Sequence, residues 1–472
     1  MSRTGELAKN TLLLGLSKVA TQMVSFLLVP IYTLFLAPND FGSVDLIITY
    51  IALVVPFLTI QLEFAAFRFA IEMRNNNEKQ SELLSTIFAL VLPVSVVLLG
   101  IFLTISFFIN IPYILLIILN ILSSVIVAIF LQFSRGIGKT KAFAIASIIA
   151  GTTTTALSIL FIVVLHRSAS SILIATAISN IAATIYLAIA IRPKRQIRLK
   201  YVNFGMSKEL LAYAIPLLPN NISWWILNVS DRTVISLVLG VAANGIYAIA
   251  NKFAFITGTI FGIFDMSWAE SASLHIDAPD RDEYFSKICN NALIIYSCIT
   301  VLFIAALPIL FPYIVGHNYS DAYNYIPILA FGALAQGLVG LYSAIYIAKK
   351  KTRQIAHTSL LAAGINLVVN LSLVYFIGIY SAAISTLVAF LAMFIYRHFD
   401  VQKYAKITYD NSVFVKIIAL FVLTVAAYYW NNNIASVISF VITVVSSILL
   451  NRKLITKSFD AVWYNISQKR NA

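Results

Sequence analysis

Residues Ser85–Ile109 read STIFALVLPVSVVLLGIFLTISFFI, and residues Ile434–Leu450 read IASVISFVITVVSSILL. Neither run contains a charged residue. A helix needs about 20 such residues, within a range of about 17–25, to cross the hydrocarbon core of a bilayer. A spanning segment must satisfy its own backbone groups, which leaves helices or a closed β-barrel. Barrel strands alternate apolar and polar at every second residue. These runs do not, so the barrel is excluded. Comparable runs recur along all 472 residues, which are 60% hydrophobic and only 11% charged. A soluble domain carries about 25% charged residues, so the composition describes an all-α polytopic membrane protein. The stretch Thr11–Leu36 is too long for a cleaved signal peptide, holds Lys18 within it and lacks a small-residue cleavage site. It reads as the first span.

The pattern predicts fourteen spans, near residues 10–36, 42–69, 83–109, 112–134, 142–165, 170–191, 208–239, 242–270, 286–312, 322–348, 354–377, 380–398, 412–429 and 433–451. Of the 33 Lys and Arg residues, 28 fall in alternate loops or tails, from Arg3 and Lys9 to Arg452–Arg470. The opposite loops hold only Arg167, and Lys18, Arg68, Arg232 and Lys252 fall within spans. Cytoplasmic loops concentrate Lys and Arg, so both termini are expected in the cytoplasm. Most of the net charge of +14 is thereby loop charge. The run Arg192–Lys200 reads as a linker on anionic headgroups. Residues 453–472 place Phe459, Trp463 and Ile466 at helical spacing among cations, as in an interfacial helix.

Two short matches hint at an internal repeat. Leu36-Ala37 with Gly42 aligns with Leu239-Gly240 and Gly245, an offset of 203. Lys139-Thr140-Lys141-x-Phe143-Ala144 aligns with Lys351-Thr352-Arg353-x-Ile355-Ala356, an offset of 212. A duplicated six-helix unit inserts both copies in the same orientation. Such parallel repeats place a substrate site at their interface and rock about it. The expected lobes are 1–200 and 201–400, followed by two appended helices at 401–452 and a cytoplasmic tail at 453–472.

A charge at mid-bilayer costs at least about 2.5–3.5 kcal/mol, so ionisable groups within spans are functional candidates. Lys18, Gln22 and Ser25 share one helix face at i, i+4, i+7. Asn221, Trp225, Asn228 and Arg232 do the same in the seventh span, and Asn244, Tyr247 and Asn251 with Lys252 form a stripe on the eighth. Membrane helices also use Asn and Ser purely as interhelical glue, and for the amides that reading weighs equally. Lys18, Arg232 and Lys252 each need an anion. Asp231 is the sequence-adjacent partner for Arg232 or Lys252, and a phosphate or pyrophosphate is the other solution. Trp224 and Trp225 lie mid-span, where an indole face beside amides suits a sugar ring or simple helix packing. Arg68 pairs with Glu72 by i,i+4 spacing. Asp45, Glu63, Asp231 and Asp265 are candidates for coupling a proton or a cation.

Other chemistry is absent from the pattern. The five histidines form no cluster, and Cys289 and Cys298 sit nine residues apart on one predicted helix. That is roughly 13 Å, too far for a disulfide. No metal or cofactor is expected. Gly136-Ile-Gly-Lys-Thr140 imitates a phosphate-binding loop, but Phe133 stands where that loop needs its first glycine. No segment is long enough to hold an ATPase, so transport must draw on a gradient or a partner.

The stretch Ile215–Arg232, IPLLPNNISWWILNVSDR, followed by Leu239-Gly240 and Gly245-Ile-Tyr-x-Ile-Ala-Asn-Lys252, resembles the polysaccharide flippases of the multidrug/oligosaccharidyl-lipid/polysaccharide exporter superfamily. Leu36-Ala-Pro-x-Asp-Phe-Gly42, Glu63-Phe-x-x-x-Arg68-Phe and Gly378-Ile-Tyr-Ser-Ala-Ala383 add to the likeness, which spans nearly the whole chain. The resemblance implies two six-helix lobes around a V-shaped central cavity, with two further helices. It implies an inner-membrane transporter, not an enzyme, whose cargo is an undecaprenyl-pyrophosphate-linked oligosaccharide for O-antigen, capsule or exopolysaccharide. Polymerase and chain-length proteins are its expected partners, besides membrane lipids; nucleic acid is not. By position, Lys18, Arg232, Lys252 and Arg68 would form a cationic lining, with Asp231 coupling the ion. A multidrug antiporter and a lipid II flippase are the alternatives on the same fold. A membrane glycosyltransferase would need a catalytic acid or base and a large loop, and the loops here are short.

Overall fold

The computed structural model describes residues 26–109, 111–191, 197, 199–430, 432–452 and 456. Among the described residues there are sixteen α-helices and no strands. In chain order they are α1 (Val29–Phe35), α2 (Pro38–Thr59), α3 (Leu62–Glu72), α4 (Asn77–Phe108), α5 (Ile114–Gly136), α6 (Thr140–Ile159), α7 (Ser171–Ile191) and α8 (Phe204–Ala214). Then come α9 (Leu218–Val238), α10 (Val241–His275), α11 (Arg281–Ile314), α12 (Ile326–Ala348), α13 (Thr352–Ile377), α14 (Tyr380–Val401), α15 (Asn411–Trp430) and α16 (Asn433–Leu450). Thirteen helices among the described residues are long and apolar enough to cross a membrane. The predicted first span lies mostly outside the described residues, which hold only its end in α1.

Backbone contacts divide the chain into two compact units. The first is Met1–Ala248 with Asn370–Ala382, and the second is Ile249–Val369 with Ala383–Ala472. α10, α13 and α14 each contribute residues to both units.

Three predicted spans are not single helices. The span predicted at 42–69 breaks at Ile60 and Gln61, which adopt φ values of 53° and 59°. The span at 208–239 is split by a 3-10 turn at Ile215–Leu217, where Pro216 and Pro219 remove amide donors from the α-helical ladder. The span at 142–165 ends in a π-helical turn, Leu160–Val164. Apolar periodicity carries no record of such breaks, because apolar residues continue on both sides of each one.

The basic loops are tied into the helices they connect. Lys139 donates from Nζ to the carbonyls of Ala190 at 2.9 Å and Ile191 at 2.8 Å, capping the end of α7. Arg74 donates from Nε to Gly136 O at 2.9 Å, at the end of α5. Cations near helix C-termini satisfy the last carbonyls and complement the helix dipole. Lys139, the lysine of the phosphate-loop imitation, is thus a helix cap. At the helix ends away from these loops, Phe107, Phe108, Tyr313, Phe376 and Trp430 are largely exposed, the position aromatic side chains take at a membrane interface.

Arg397, at the end of the predicted span 380–398, is one of the 28 cations counted with the loops, and the structure corrects that count. The charge pattern predicts Arg397 in a basic loop, yet it lies within α14 and is fully buried in the second unit. Its guanidinium donates to Thr358 Oγ1 at 2.9 and 2.7 Å, to Ser343 Oγ at 2.6 Å and to Ile355 O at 3.3 Å. Tyr346 beneath it donates to Asp400 Oδ2 at 2.8 Å. One side chain therefore joins α12, α13 and α14 through neutral acceptors. Truncation of a large buried side chain costs about 2–5 kcal/mol. Arg397→Ala is expected to lower the thermal midpoint of the purified protein accordingly; an unchanged midpoint would show that the three helices hold without it.

Candidate functional site

The first unit brings α2 and α9 together along a polar seam. α2 starts at Pro38, which sits at the first helical position, where its missing amide costs nothing. It ends just beyond Pro56, at the break between Thr59 and Leu62. A non-glycine residue in the left-handed region costs about 1–2 kcal/mol, and Ile60 and Gln61 stand there in succession. The break turns the fully buried Gln61 side chain toward α9, where its Oε1 accepts a hydrogen bond from Asn221 Nδ2.

Further along the seam, the Trp225 indole donates to Thr49 O at 3.4 Å, and Arg232 donates to Thr49 Oγ1 at 2.8 Å. Tyr50 donates to Thr233 Oγ1 at 3.1 Å. The acid facing Arg232 is Asp45, at 3.0 Å. The sequence pointed to Asp231, but adjacent residues on a helix do not share a face. Both partners are mostly enclosed, with side-chain exposures of 17% for Arg232 and 9% for Asp45. The pair is imperfectly aligned. Asp45 Oδ2 has no hydrogen bond of good geometry, and Arg232 Nε is buried without an acceptor. Below the pair, Pro56, Phe57, Leu218, Asn221, Trp224 and Trp225 line a cleft of about 230 Å³.

Asp231 occupies a separate cluster in the same unit and is 1% exposed. Its Oδ2 accepts from Tyr247 OH at 2.8 Å, and its Oδ1 accepts from Asn370 Nδ2 at 2.9 Å. Ser381 Oγ donates to Asn370 Oδ1 at 2.8 Å. Four helices, α9, α10, α13 and α14, thus contribute one side chain each. Close by in sequence, α2 and α10 cross with their backbones in contact. Gly42 and Gly245, 203 residues apart, meet there, and Asn244 Nδ2 donates to Gly42 O at 3.0 Å. A β-carbon on Gly42 would collide with Val241 O and lie 2.8 Å from Gly245 N, and one on Gly245 would collide with Pro38 O.

The remaining candidates fall elsewhere. Lys18 and Gln22 lie outside the described residues, as does the side chain of Asn228. Arg68 sits on an exposed flank, paired with Glu72 at 2.7 Å as its spacing predicts. Glu63, in the first turn of α3, is 7% exposed and its Oε2 has no hydrogen-bond partner. Asn251 is buried and Lys252 half-buried on α10, both in the second unit. Asp265 of that unit accepts from Tyr296 OH at 3.1 Å, and its carboxylate leans on Gly340, where any side chain would strike it. Sequence reasoning missed Thr49, Gln61, Asn370 and Ser381, since an uncharged polar residue in a span carries no mark of its partner. No cluster of three His, Cys, Asp or Glu side chains suited to a metal occurs among the described residues.

Residues 7–268, more than half of the chain, match the family model of the polysaccharide biosynthesis proteins. The chain belongs to that family. Among solved structures, this polysaccharide biosynthesis protein is similar to the lipid II flippase MurJ in its inward closed conformation. The TM-score is 0.68 at 16% identity, covering 95% of this chain and 100% of that one. It is similar to a multidrug resistance MATE family transporter of the MOP superfamily in its inward-facing conformation, with a TM-score of 0.66 at 14% identity, covering 81% of this chain and 95% of that one. It is also similar to the Vibrio cholerae MATE transporter VcmN, with a TM-score of 0.56 at 14% identity, covering 88% of this chain and 100% of that one. At these identities the likeness establishes the fold. No curated protein matches the polysaccharide biosynthesis protein by sequence.

Proposed function

We propose that this chain is a flippase that moves an undecaprenyl-pyrophosphate-linked oligosaccharide from the cytoplasmic to the outer leaflet of the inner membrane by alternating access. It carries no catalysis; its cargo is the repeat unit of an O-antigen, capsule or exopolysaccharide. Both termini lie in the cytoplasm. The transporting lobes are 1–200 and 201–400, with 401–452 and the tail 453–472 appended. Polymerase and chain-length proteins are the partners that receive the cargo.

The observation that carries this reading is the α2–α9 seam. A buried guanidinium with an unused Nε–H stands beside a cleft lined by an amide and two indoles. Guanidinium and phosphate oxygens pair through charge-assisted hydrogen bonds. Indole faces stack on the apolar face of a sugar ring, and amides satisfy its hydroxyls. Asp45 holds Arg232 while the site is empty, and an arriving pyrophosphate competes for the same donors. Lys18, Lys252 and Arg68 are the further cations that the sequence offers to the same anionic cargo. Buried Asp231 supplies the coupling site for a proton or sodium ion. Tyr247 OH is both donor and acceptor, so it can turn from donating to the carboxylate to accepting a hydrogen bond from the protonated carboxyl.

A lipid II cargo offers the same prenyl-pyrophosphate chemistry, and the likeness to MurJ favours it as the second reading. Deleting the gene and probing the lipid-linked glycan with a membrane-impermeant sugar-modifying enzyme tests the choice. The oligosaccharide lipid should accumulate in the cytoplasmic leaflet while lipid II still reaches the outer one. Normal export of both would contradict the flippase assignment. In the cleft, Trp225→Ala is expected to slow translocation about 2–10-fold, the range of one aromatic stacking contact. Trp225→Phe should lose less, with initial rates in vesicles as the readout.

A further inference from the structure

The first unit contains a second cavity, unlike the cleft in every respect but position. It has a volume of about 670 Å³ and lies between α2, α4 and α5. Its walls include Ile47, Val54 and Leu58 of α2, Leu99 and Phe102 of α4, and Ile121 of α5. All the lining residues are apolar except Tyr50, whose hydroxyl is already committed to Thr233. Small-molecule sites typically measure about 300–1,000 Å³, so the volume is that of a ligand pocket and not a packing flaw.

Water is a poor occupant. A buried water needs about 2–4 polar partners, and apolar cavities lacking them stay dry. The cavity lies along the second half of α2 and within α4, both spans by length and composition, so its natural contents are hydrocarbon. Its position narrows the choice of chain. Leu53 and Phe57, one turn apart on α2, line both this cavity and the cleft that holds Asn221, Trp224 and Trp225. Phe57 is 41% exposed, and it and Leu53 are the side chains the two spaces share. A molecule with a polar head and a hydrocarbon tail joined at one carbon fits both spaces at once.

We infer that this cavity receives the prenyl segment next to the pyrophosphate of the lipid-linked substrate, while the α2–α9 cleft holds the head. The inference rests on the flippase reading above and adds to it a seat for the tail. The unsaturated, methyl-branched chain is fixed against α2, the helix that carries Asp45 and Thr49. Head recognition and tail recognition then act on the same helix.

The test uses the full chain in nanodiscs, with undecaprenyl phosphate as the probe and retention read by native mass spectrometry. Val54→Trp and Leu99→Trp each fill the cavity without touching the cleft. Both are expected to weaken undecaprenyl phosphate retention by about tenfold or more, the scale on which a filled apolar pocket discriminates, with phospholipid retention unchanged. Parent and filled variants retaining the probe equally would overturn the tail site and leave the flippase reading standing. Loss of bound phospholipid instead of the probe would also overturn it, making the cavity an acyl-chain site. A parent that retains no undecaprenyl phosphate would remove the flippase reading and this inference together. A polyprenyl phosphate with a photoreactive group in its first isoprene unit decides the matter should a tryptophan variant fail to fold. On the parent protein it should label residues 47–58 or 98–121, and labelling confined to other segments contradicts the proposal.

Discussion

Asp231→Asn is expected to insert and fold, and to lose the stimulation of transport by an ion gradient. The carboxylate is enclosed, with Tyr247 and Asn370 donating to its two oxygens and Ser381 fixing the Asn370 amide. An amide at 231 keeps one acceptor and turns a donor on a neighbour that is itself donating. An unsatisfied buried polar group costs about 1–3 kcal/mol, a loss the whole fold can bear. The charge cannot be replaced. An amide neither takes up a proton in the physiological range nor balances a cation, so ion occupancy no longer biases the conformational equilibrium. Coupling free energies of about 1–3 kcal/mol correspond to about 5–150-fold. Gradient-driven flipping should fall by a factor in that range, to the rate measured without a gradient. Flipping in proteoliposomes, with and without imposed proton and sodium gradients, checks this. Full stimulation of the variant would move the coupling site elsewhere, to Glu63 or Asp265 first.

Gly42→Ala should trap the protein with the α2–α10 crossing apart. Gly42 lies 2.8 Å or less from backbone atoms of α10 once a β-carbon is added, and backbone cannot move aside as a side chain can. Overpacking costs about 1–3 kcal/mol. If the transport cycle alternates between crossed and separated helix ends, that cost falls on the crossed state alone. It shifts the population by about 5–150-fold toward the separated one, following the usual 1.4 kcal/mol per tenfold. Gly245→Ala should behave alike, because the two glycines approach each other at the crossing. Reaction of a cysteine placed at Thr49 with a water-soluble maleimide should speed up in both variants, while translocation slows. The native thiols, Cys289 and Cys298, are buried and contribute little background. Unaltered labelling and transport would mean that the crossing never opens.

The helical architecture was legible because membrane burial writes itself into long stretches of composition, as in Ser85–Ile109. The stripe of Asn221, Trp225 and Arg232 was legible for a related reason, since helical spacing alone puts them on one face. Their partners were not. Asp45 and Gln61 reach Arg232 and Asn221 across more than 150 residues of sequence, and no local rule connects residues that far apart. The break at Ile60–Gln61 was hidden because neither residue is a glycine or proline, the usual signs of an interruption. Arg397 was misplaced because a cation near a helix end reads the same whether it faces water or the interior. Its burial depends on hydroxyls of Ser343 and Thr358, supplied by two other helices.

Translocation by the purified protein tests the role of the Arg232 seam most directly. Proteoliposomes carrying undecaprenyl-pyrophosphate linked to a fluorescent oligosaccharide would be treated with an impermeant quencher at intervals. Nearly all the fluorescence is expected to become quenchable with the parent protein, while Arg232→Ala vesicles, with the protein properly inserted, retain a protected inner-leaflet fraction. Protection that persists in parent vesicles, or equal rates for parent and Arg232→Ala, would contradict that role.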